Sequence, residues 1–495
     1  MNRPKNSKER TLSELSAHLG FSLKDHENLS FLGVCSDSRS IVPGDLFFAL
    51  PGEKSHGIAF LKAALERGAK AVITDSQGVD SASQISPSTP LLVIPEPRSI
   101  CGEVASWFYG EPSQSLFVAG VTGTNGKTTS TFLLDQIWRA AGINSGLIGT
   151  IGIRYGNQEL PATHTTPESD ELQRLLATMK EAGVGKVAME VSSHALAQER
   201  VAATHFKVAG FTNLTQDHLD YHITMDNYFG AKRKLFSYGL AELGIVCIDG
   251  EYGKRLYNEI SIPKRSIASN GKADWYFERV DQTPSGFELL IRGTDGISIE
   301  NQFNLIGRHN LENLLLAIAI AHESGVDPLV IANSLPALTG APGRLERIKS
   351  EKYLALVDYA HTPDAVTRAI AAVKDKGTRI IAVLGCGGDR DSSKRALMGA
   401  ALNEGADIPI FTSDNPRSED PAKILSEMTD SLKLKSGGEI IVDRKAAINR
   451  AVELAQPGDL ILILGKGHET GQEINGVKIP FSDREVLLSA IKARG

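Results

Sequence analysis

The sequence predicts an α/β protein of three domains: a small mixed α/β unit at the N-terminus, a central parallel-sheet unit of P-loop type, and a C-terminal Rossmann-like unit. Three observations carry that expectation. Strand-length apolar runs alternate with helix-length amphipathic patterns along most of the chain, as parallel sheets covered on both faces require. The 495 residues amount to about three domains of ordinary size. Two Gly- and Pro-bearing stretches, 110–113 and 340–343, read as linkers and place the expected domains at 1–110, 111–340 and 341–495.

Within the first unit, Val42-Pro43-Gly44-Asp45 reads as a turn opening an apolar strand over 46–50. Residues 60–68 carry helical spacing, 71–74 form a strand, and the Ser-rich stretch 75–90 reads as a loop. The central unit opens on a buried strand at 116–121, then a Gly/Thr loop and a helix over 129–141. Strands follow at 187–191 and 208–212, and a helix at 310–323 closes the unit. The last unit repeats the alternation, with strands at 354–357, 379–384, 408–412 and 459–464.

Composition narrows the function classes. Apolar residues make up 41% and charged residues 23%, so the chain is neither disordered nor fibrous. With 53 basic against 59 acidic side chains the net charge is −6, and no general nucleic-acid or anionic-membrane binder is expected. The four cysteines, Cys35, Cys101, Cys247 and Cys386, are far apart and lack CxxC or metal-ligand spacing, which suits a reducing cytoplasm. The longest apolar stretch, 314–321, is far short of a membrane span, and the polar N-terminus does not read as a secretory signal.

The chemistry starts at Thr122-Gly123-Thr124-Asn125-Gly126-Lys127-Thr128-Thr129, between a predicted strand and helix. Glycines let backbone N–H groups turn inward around phosphate oxygens, and the helix N-terminus adds partial positive charge. Lys127 can reach β- and γ-phosphates, and the Thr128 hydroxyl can ligate Mg²⁺. Val121 stands five positions before Gly126, so the loop keeps only a GxxGKT core of the longer P-loop form. A nucleoside triphosphate is the predicted ligand.

Glu190 ends an apolar strand and runs into Ser192, Ser193 and His194, where a carboxylate would face the metal. Asp217-His218-Leu219-Asp220-Tyr221-His222 forms a dense polar cluster after the next strand. His218 and His222, four apart, could share a helical face as a zinc pair. No third soft ligand has matching spacing, which favours Mg²⁺ chemistry with His218 assisting.

TGTNGKTT, EVSSHAL, FTNLTQDHLDYH, YFGAKRKLF, PGRLE and DYAHTPD follow one another in the order seen in the Mur ligases. These are the ATP-dependent amino-acid ligases that build the peptidoglycan stem peptide, and the chain resembles them over about 37–485. Asp37-Ser38-Arg39 with Pro43-Gly44-Asp45-Leu46-Phe47 resembles the uridine-nucleotide domain of the third-residue ligase. Gly385-Cys386-Gly387-Gly388-Asp389-Arg390 and Gly465-Lys466-Gly467-His468-Glu469 also match that member.

The resemblance implies that meso-2,6-diaminopimelate is joined to UDP-N-acetylmuramoyl-L-alanyl-D-glutamate through an acyl phosphate, with release of ADP and phosphate. That chemistry calls for charge neutralisation more than covalent help. It further implies a cytoplasmic monomer acting on small molecules, with Mg²⁺ held by Thr128, Glu190, His218 and a CO₂-derived carbamate on Lys232. By spacing alone a lysine in Lys232-Arg233-Lys234 is an ordinary solvated side chain. Lys127, Lys232 and His218 are thereby the implied catalytic groups. Asn310, Arg344 and Asp358 match positions holding the adenine nucleotide, although Arg344 could equally form an interdomain salt bridge. Ser38, Thr165, Thr166, Ser192, Gln198 and Arg200 match positions for the uridine-nucleotide substrate.

Which amino acid is added turns on Asp414-Asn415-Pro416-Arg417, which follows the strand at 408–412. In the family this tetrapeptide accompanies meso-diaminopimelate. The physics agrees: diaminopimelate carries a carboxylate that lysine lacks, and the Arg417 guanidinium suits it. Arg390 offers a second guanidinium, while Gly465 and Glu469 complete the implied pocket, Glu469 accepting from the distal ammonium. Lys394-Arg395-Ala396 departs from an expected Lys-Arg-Pro, which touches local rigidity rather than chemistry. The related folylpolyglutamate synthetases share the phosphate loop but lack the N-terminal domain and this tetrapeptide. A P-loop motor or regulator would hydrolyse nucleotide without any amino-acid dependence.

Overall fold

A computed structural model describes residues 3–494 apart from 23–24, 53–54, 87, 284–285, 351 and 375–377. The N-terminal unit is a four-stranded parallel sheet in the order Gly33–Cys35, Asp45–Phe48, Ala71–Thr74, Leu91–Val93. Leu46, Phe48 and Ile73 pack one face against Val104 and Phe108 of helix Pro97–Phe108. Two expectations change here. The helical stretch at 60–68 divides into a 3₁₀ turn, Gly57–Phe60, and a helix, Leu61–Glu66. The stretch 75–90, read as a loop, contains helix Val79–Ile85. Val79, Ala82 and Ile85 recur every third residue, but the stripe is short and Ile85 stands exposed. The chain enters it through the Asp75 carboxylate, which accepts the N–H groups of Gln77 and Gly78, and Ala82 buries its one inward position.

The expected linker at 110–113 is packed rather than free. Pro112–Ser115 forms one helical turn, and the Ser113 hydroxyl, 1% exposed, accepts the His205 N–H at 3.0 Å.

The central sheet has eleven strands. Its middle is parallel, with Phe117–Thr122 between Lys186–Glu190 and Phe206–Phe211. Both edges turn antiparallel, through Gly152–Tyr155 and Gln158–Leu160 on one side and Gly286–Arg292 and Ser298–Phe303 on the other. The connections there are too short for a crossover helix, so only hairpins fit. Helices Lys127–Ala140 and His309–Glu323 lie together on one face, with Leu133, Leu134, Ile137, Leu314 and Leu315 out of water.

The C-terminal sheet runs Glu346–Ile348, Leu354–Asp358, Leu460–Leu464, Ile380–Cys386, Ile408–Ser413, Glu439–Ile440, parallel throughout except for the first strand. Chain order reverses across these strands, and a crevice forms beyond their carboxyl ends. Asp358, Gly385–Arg390, Asp414–Arg417 and Gly465–Glu469 all emerge on that one rim.

Arg444 holds the rim together from beneath. Its guanidinium is buried, pairs with Asp483 at 2.7 Å through two nitrogens, and donates to Ser413 O and Leu464 O at the ends of two rim strands. Removing one partner leaves the other charged in a dry site. Arg444→Ala is expected to lower the stability of the C-terminal domain by about 3–5 kcal/mol, read as a shift of its urea midpoint. A loss below about 1 kcal/mol would make this pair no better than a surface one.

Candidate active site

The phosphate loop leaves the buried strand Phe117–Thr122 with Gly123 at φ +149° and Gly126 at φ +90°, conformations that suit glycine. A side chain at either position would also collide, with Thr212 and Asn313 respectively. The following helix begins at Lys127, two residues earlier than its sequence pattern suggests. Asn213 holds the loop open, its carbonyl accepting from Thr124 N–H and its Oδ1 from Asn125 N–H. Lys127 Nζ donates to the carbonyls of Gly123 and Thr124, both at 2.9 Å. Burial lowers its pKa, the Glu190 carboxylate opposes that shift, and Arg344 adds to it.

Glu190, 1% exposed, ends its strand directly beside the loop. One carboxylate oxygen accepts from Thr128 Oγ1 at 2.9 Å and Thr150 Oγ1 at 3.1 Å, the other from Thr150 N–H at 2.8 Å. Thr165 meets the Thr150 hydroxyl at 3.1 Å. The Thr166 hydroxyl donates to Glu190 O and accepts the Ser192 N–H, while Ser192 itself caps helix Ser193–Ala197.

His218 stands at φ +53° ahead of the short helix Leu219–His222, and its ring and that of His222 both pack against His194, with ring centres 4.8 and 5.5 Å away. Among the described residues no three His, Cys, Asp or Glu side chains converge as a metal group. Burial holds His218 and His222 near a pKa of about 4, so they are neutral imidazoles at neutral pH. The Thr128 hydroxyl and the Glu190 carboxylate are oxygen donors of the kind a hard divalent cation such as Mg²⁺ takes, and His218 lines the same cavity.

Lys232 departs from its sequence appearance. It is 1% exposed, and its Nζ donates to Gly123 O at 2.8 Å and sits 4.6 Å from the centre of the Tyr228 ring. Burial first, and Lys127 second, push its amine well below the usual lysine range.

A cavity of about 280 Å³ opens from the loop toward the C-terminal domain. Residues Thr124–Thr129, Glu190, Ser192, His218, Arg344 and Asp358 line it, and so do His309, Glu312 and Asn313. Among the described residues Arg344 makes no ion pair. Its guanidinium lies 4.7 Å from the Tyr359 ring centre and reaches Thr128 Oγ1 at 3.5 Å, joining two domains without a salt bridge. Asp358 accepts from Leu345 and Ala360 N–H, and burial raises its pKa against the pull of Arg344. Asn310 is not brought to the cavity: it is buried and engages Ile306 O and Asn313.

The rim residues adjoin this cavity through Tyr359, whose ring centre lies 5.1 Å from that of His468. Glu469 Oε2 accepts from Asn415 Nδ2 at 2.8 Å and from Lys466 Nζ at 2.9 Å. Arg417, at φ +52°, donates through Nη1 to Gly388 O at 2.6 Å and keeps Nε 3.5 Å from Glu473. Pro416 is buried, Gly465 takes φ +113°, and Arg390 stands exposed on the loop after its strand. Asp414 is buried against Arg444, with its pKa raised by burial.

Gln198 and Arg200 do not line the cavity. They bond each other, and Arg200 pairs with Glu168 at 2.9 Å. Ser38 is buried at the N-terminal domain's edge, close in sequence to Ser36, which bonds Asp170 across the domain boundary.

Sequence reasoning missed three groups. Lys466 is fully buried with its Nζ on Asn415 Oδ1 and Glu469, and only its place between two glycines at a strand end could have marked it. Lys394 of the C-terminal domain reaches Asp217 beside His218 at 3.0 Å, and nothing local signals that pairing. Glu312 lines the cavity from a helix that reads as core.

Residues 121–321 match the Mur ligase middle domain, 343–467 the Mur ligase glutamate ligase domain, and 30–109 the Mur ligase family catalytic domain. A UDP-N-acetylmuramoyl-L-alanyl-D-glutamate–2,6-diaminopimelate ligase from Streptomyces coelicolor is 44% identical over 499 residues, covering 99% of this chain and 98% of its own. The protein of that name from Aquifex aeolicus is 40% identical over 94% of this chain and 96% of its own. A solved structure of a ligase with the same name superposes with a TM-score of 0.69 at 32% identity, covering 97% of this chain and 98% of that one.

Lys127→Ala removes the loop's countercharge without opening a core cavity. Amino-acid-dependent ADP release is expected to vanish while circular dichroism stays native. Near-normal turnover would remove the loop from the chemistry.

Proposed function

The chain belongs to the Mur ligase family, and from that premise we propose the following reaction. It joins meso-2,6-diaminopimelate to UDP-N-acetylmuramoyl-L-alanyl-D-glutamate, spending ATP and releasing ADP and phosphate. The observation that carries this reading is the continuity of the site. One cavity places the phosphate loop against Glu190 and His218, and through Tyr359 and His468 it meets the rim that presents Arg417 and Glu469.

The γ-phosphoryl group passes to the D-glutamate side-chain carboxylate, giving an acyl phosphate. The amine of diaminopimelate then attacks the acyl carbon, and phosphate leaves. Lys127 and the loop N–H groups hold the β- and γ-phosphates, which gather negative charge as the phosphoryl group moves. Arg344 lies at the seam of the two domains and answers the same charge. Asp358, at its strand end, suits the ribose hydroxyls.

Thr128, Glu190 and His218 would hold Mg²⁺, which lowers the repulsion between the γ-phosphate and the substrate carboxylate. Lys232 supports a carbamate reading. A buried amine with depressed basicity is a free nucleophile, and reaction with CO₂ followed by loss of a proton gives an anion beside Lys127. Thr165 and Ser192 line the cavity, Thr166 bonds Ser192 and Arg200, and Arg200 bonds Gln198; with Ser38 of the N-terminal domain these groups suit the hydroxyl-rich nucleotide substrate.

A cytoplasmic monomer is the reading taken over from the family resemblance. The four cysteines are buried free thiols, as a reducing compartment keeps them. Among the described residues no helix is long and apolar enough to cross a membrane.

Lys232→Ala is expected to lose most of its turnover and to regain part of it when a short carboxylic acid is added to the buffer. A fully active Lys232→Ala would exclude the carbamate. For selectivity, kcat/KM with diaminopimelate should far exceed that with lysine. Arg417→Ala should lower the diaminopimelate value by about 2–3 kcal/mol, on the order of 10²-fold, and leave the KM for ATP within about twofold, since Arg417 stands on the rim. Equal wild-type kcat/KM for the two amino acids would overturn the reading of Arg417.

A further inference from the structure

The central and C-terminal domains face each other across the cavity, and among the described residues one ion pair joins them. Lys394, in the first turn of helix Ser393–Gly405, places Nζ 3.0 Å from Asp217 Oδ1. The two side chains are 25% and 12% exposed, so solvent screens them less than a pair on the open surface. The second carboxylate within reach of Lys394, Asp391 at 3.9 Å, lies in its own domain. The other crossing, Arg344 to Thr128 at 3.5 Å, ends on a hydroxyl and brings no opposite charge.

Both ends of the pair sit on working parts of the site. On the central side Asp217 Oδ1 also accepts the His218 N–H at 2.9 Å, and Oδ2 lies 3.4 Å from His218 Nε2. His218 takes φ +53°, a left-handed backbone that a bulky residue keeps where its surroundings impose it. The Asp217 carboxylate therefore fixes the backbone and flanks the ring of a cavity-lining imidazole. On the C-terminal side Lys394 follows Arg390 by four residues. Asp391 accepts from the N–H and the hydroxyl of Ser393, tying the Arg390 loop to the start of the helix. We propose that Lys394 is a positioning residue: its ammonium latches the amino-acid rim to the phosphate side and holds Asp217, and through it His218, in place.

The physics suits a latch rather than a fixed strut. A lysine is a point charge on a flexible stem, so the pair forms over a range of domain positions. A partly exposed pair is also weak enough to open, as entry of substrates and exit of product between two domains require. When it opens, Asp217 loses its cation. A carboxylate at one ring nitrogen sets the orientation and tautomer of an imidazole, so loss of the latch is felt at the other nitrogen of His218. The role of His218 rests on the ligase reading; the latch itself rests on the contact between the domains.

Near-isosteric variants of the full-length protein test this: Lys394→Met, Asp217→Asn and the two together, each checked for native circular dichroism. Small-angle X-ray scattering with ADP present reads the domain position without requiring ligation. Each single variant should enlarge the radius of gyration relative to the wild type. The double variant should enlarge it no further than the larger single. In steady-state ligation each single should lower kcat on the order of tenfold, with the KM for ATP within about twofold. The double should fall no lower than the less active single, because both changes break the same contact. A lysine that merely stabilised its own domain would leave the radius unchanged. Wild-type scattering in both single variants, or kcat losses that multiply in the double, overturns the proposal. A wild type that does not ligate would count against the ligase reading, and the scattering would still decide this one.

Discussion

Two lysines share one acceptor at the centre of the site. Lys127 and Lys232 both donate to the Gly123 carbonyl, at 2.9 and 2.8 Å. Two full positive charges so close in a buried setting would repel strongly, and the tension resolves on the more buried partner, Lys232, whose amine loses basicity. The rest of the loop answers the same constraint. Gly123 must expose its carbonyl to both amines, which its φ of +149° permits. Glu190 supplies the compensating negative charge and in turn positions Thr128 and Thr150 through hydrogen bonds.

The second half of the site depends on a different device. The C-terminal rim is assembled from loops at the ends of parallel strands, and such loops are held only as well as their undersides are anchored. Arg444 and Asp483 provide the anchor below, and Lys466, Asn415 and Glu469 tie the surface above. The rim is then brought to the phosphate loop by contacts that cross the domain boundary. Lys394 pairs with Asp217 next to His218, and Arg344 spans from the Tyr359 ring to Thr128. Both crossings end beside the expected metal ligands, so domain position and charge placement are coupled.

Some of the fold was plain in the sequence and some was not. The buried strands at 116–121 and 354–357 announce themselves as continuous apolar runs, because a strand covered on both faces has no polar side. The helix Val79–Ile85 was hidden, since its apolar stripe is three residues long, only Ala82 of it is buried, and the chain enters it through an Asp75 turn. The antiparallel edges were hidden for another reason: apolar content alone does not reveal strand direction.

What the sequence by itself determined is the chemistry that contiguous residues encode. Gly123 to Thr128 dictates a phosphate loop because glycine conformations, a lysine and a hydroxyl follow at fixed offsets. The order of the longer motifs identified the family for the same reason. What only the tertiary structure decided is the state of each charged group. Lys232 reads as a solvated helix lysine until Gly123, 109 positions away, supplies its acceptor and the fold removes its water. Lys394 finds Asp217 from 177 positions away, and Arg444 finds Asp483 from 39. Burial and charge neighbourhood belong to the packed assembly, and no local stretch of chain carries them.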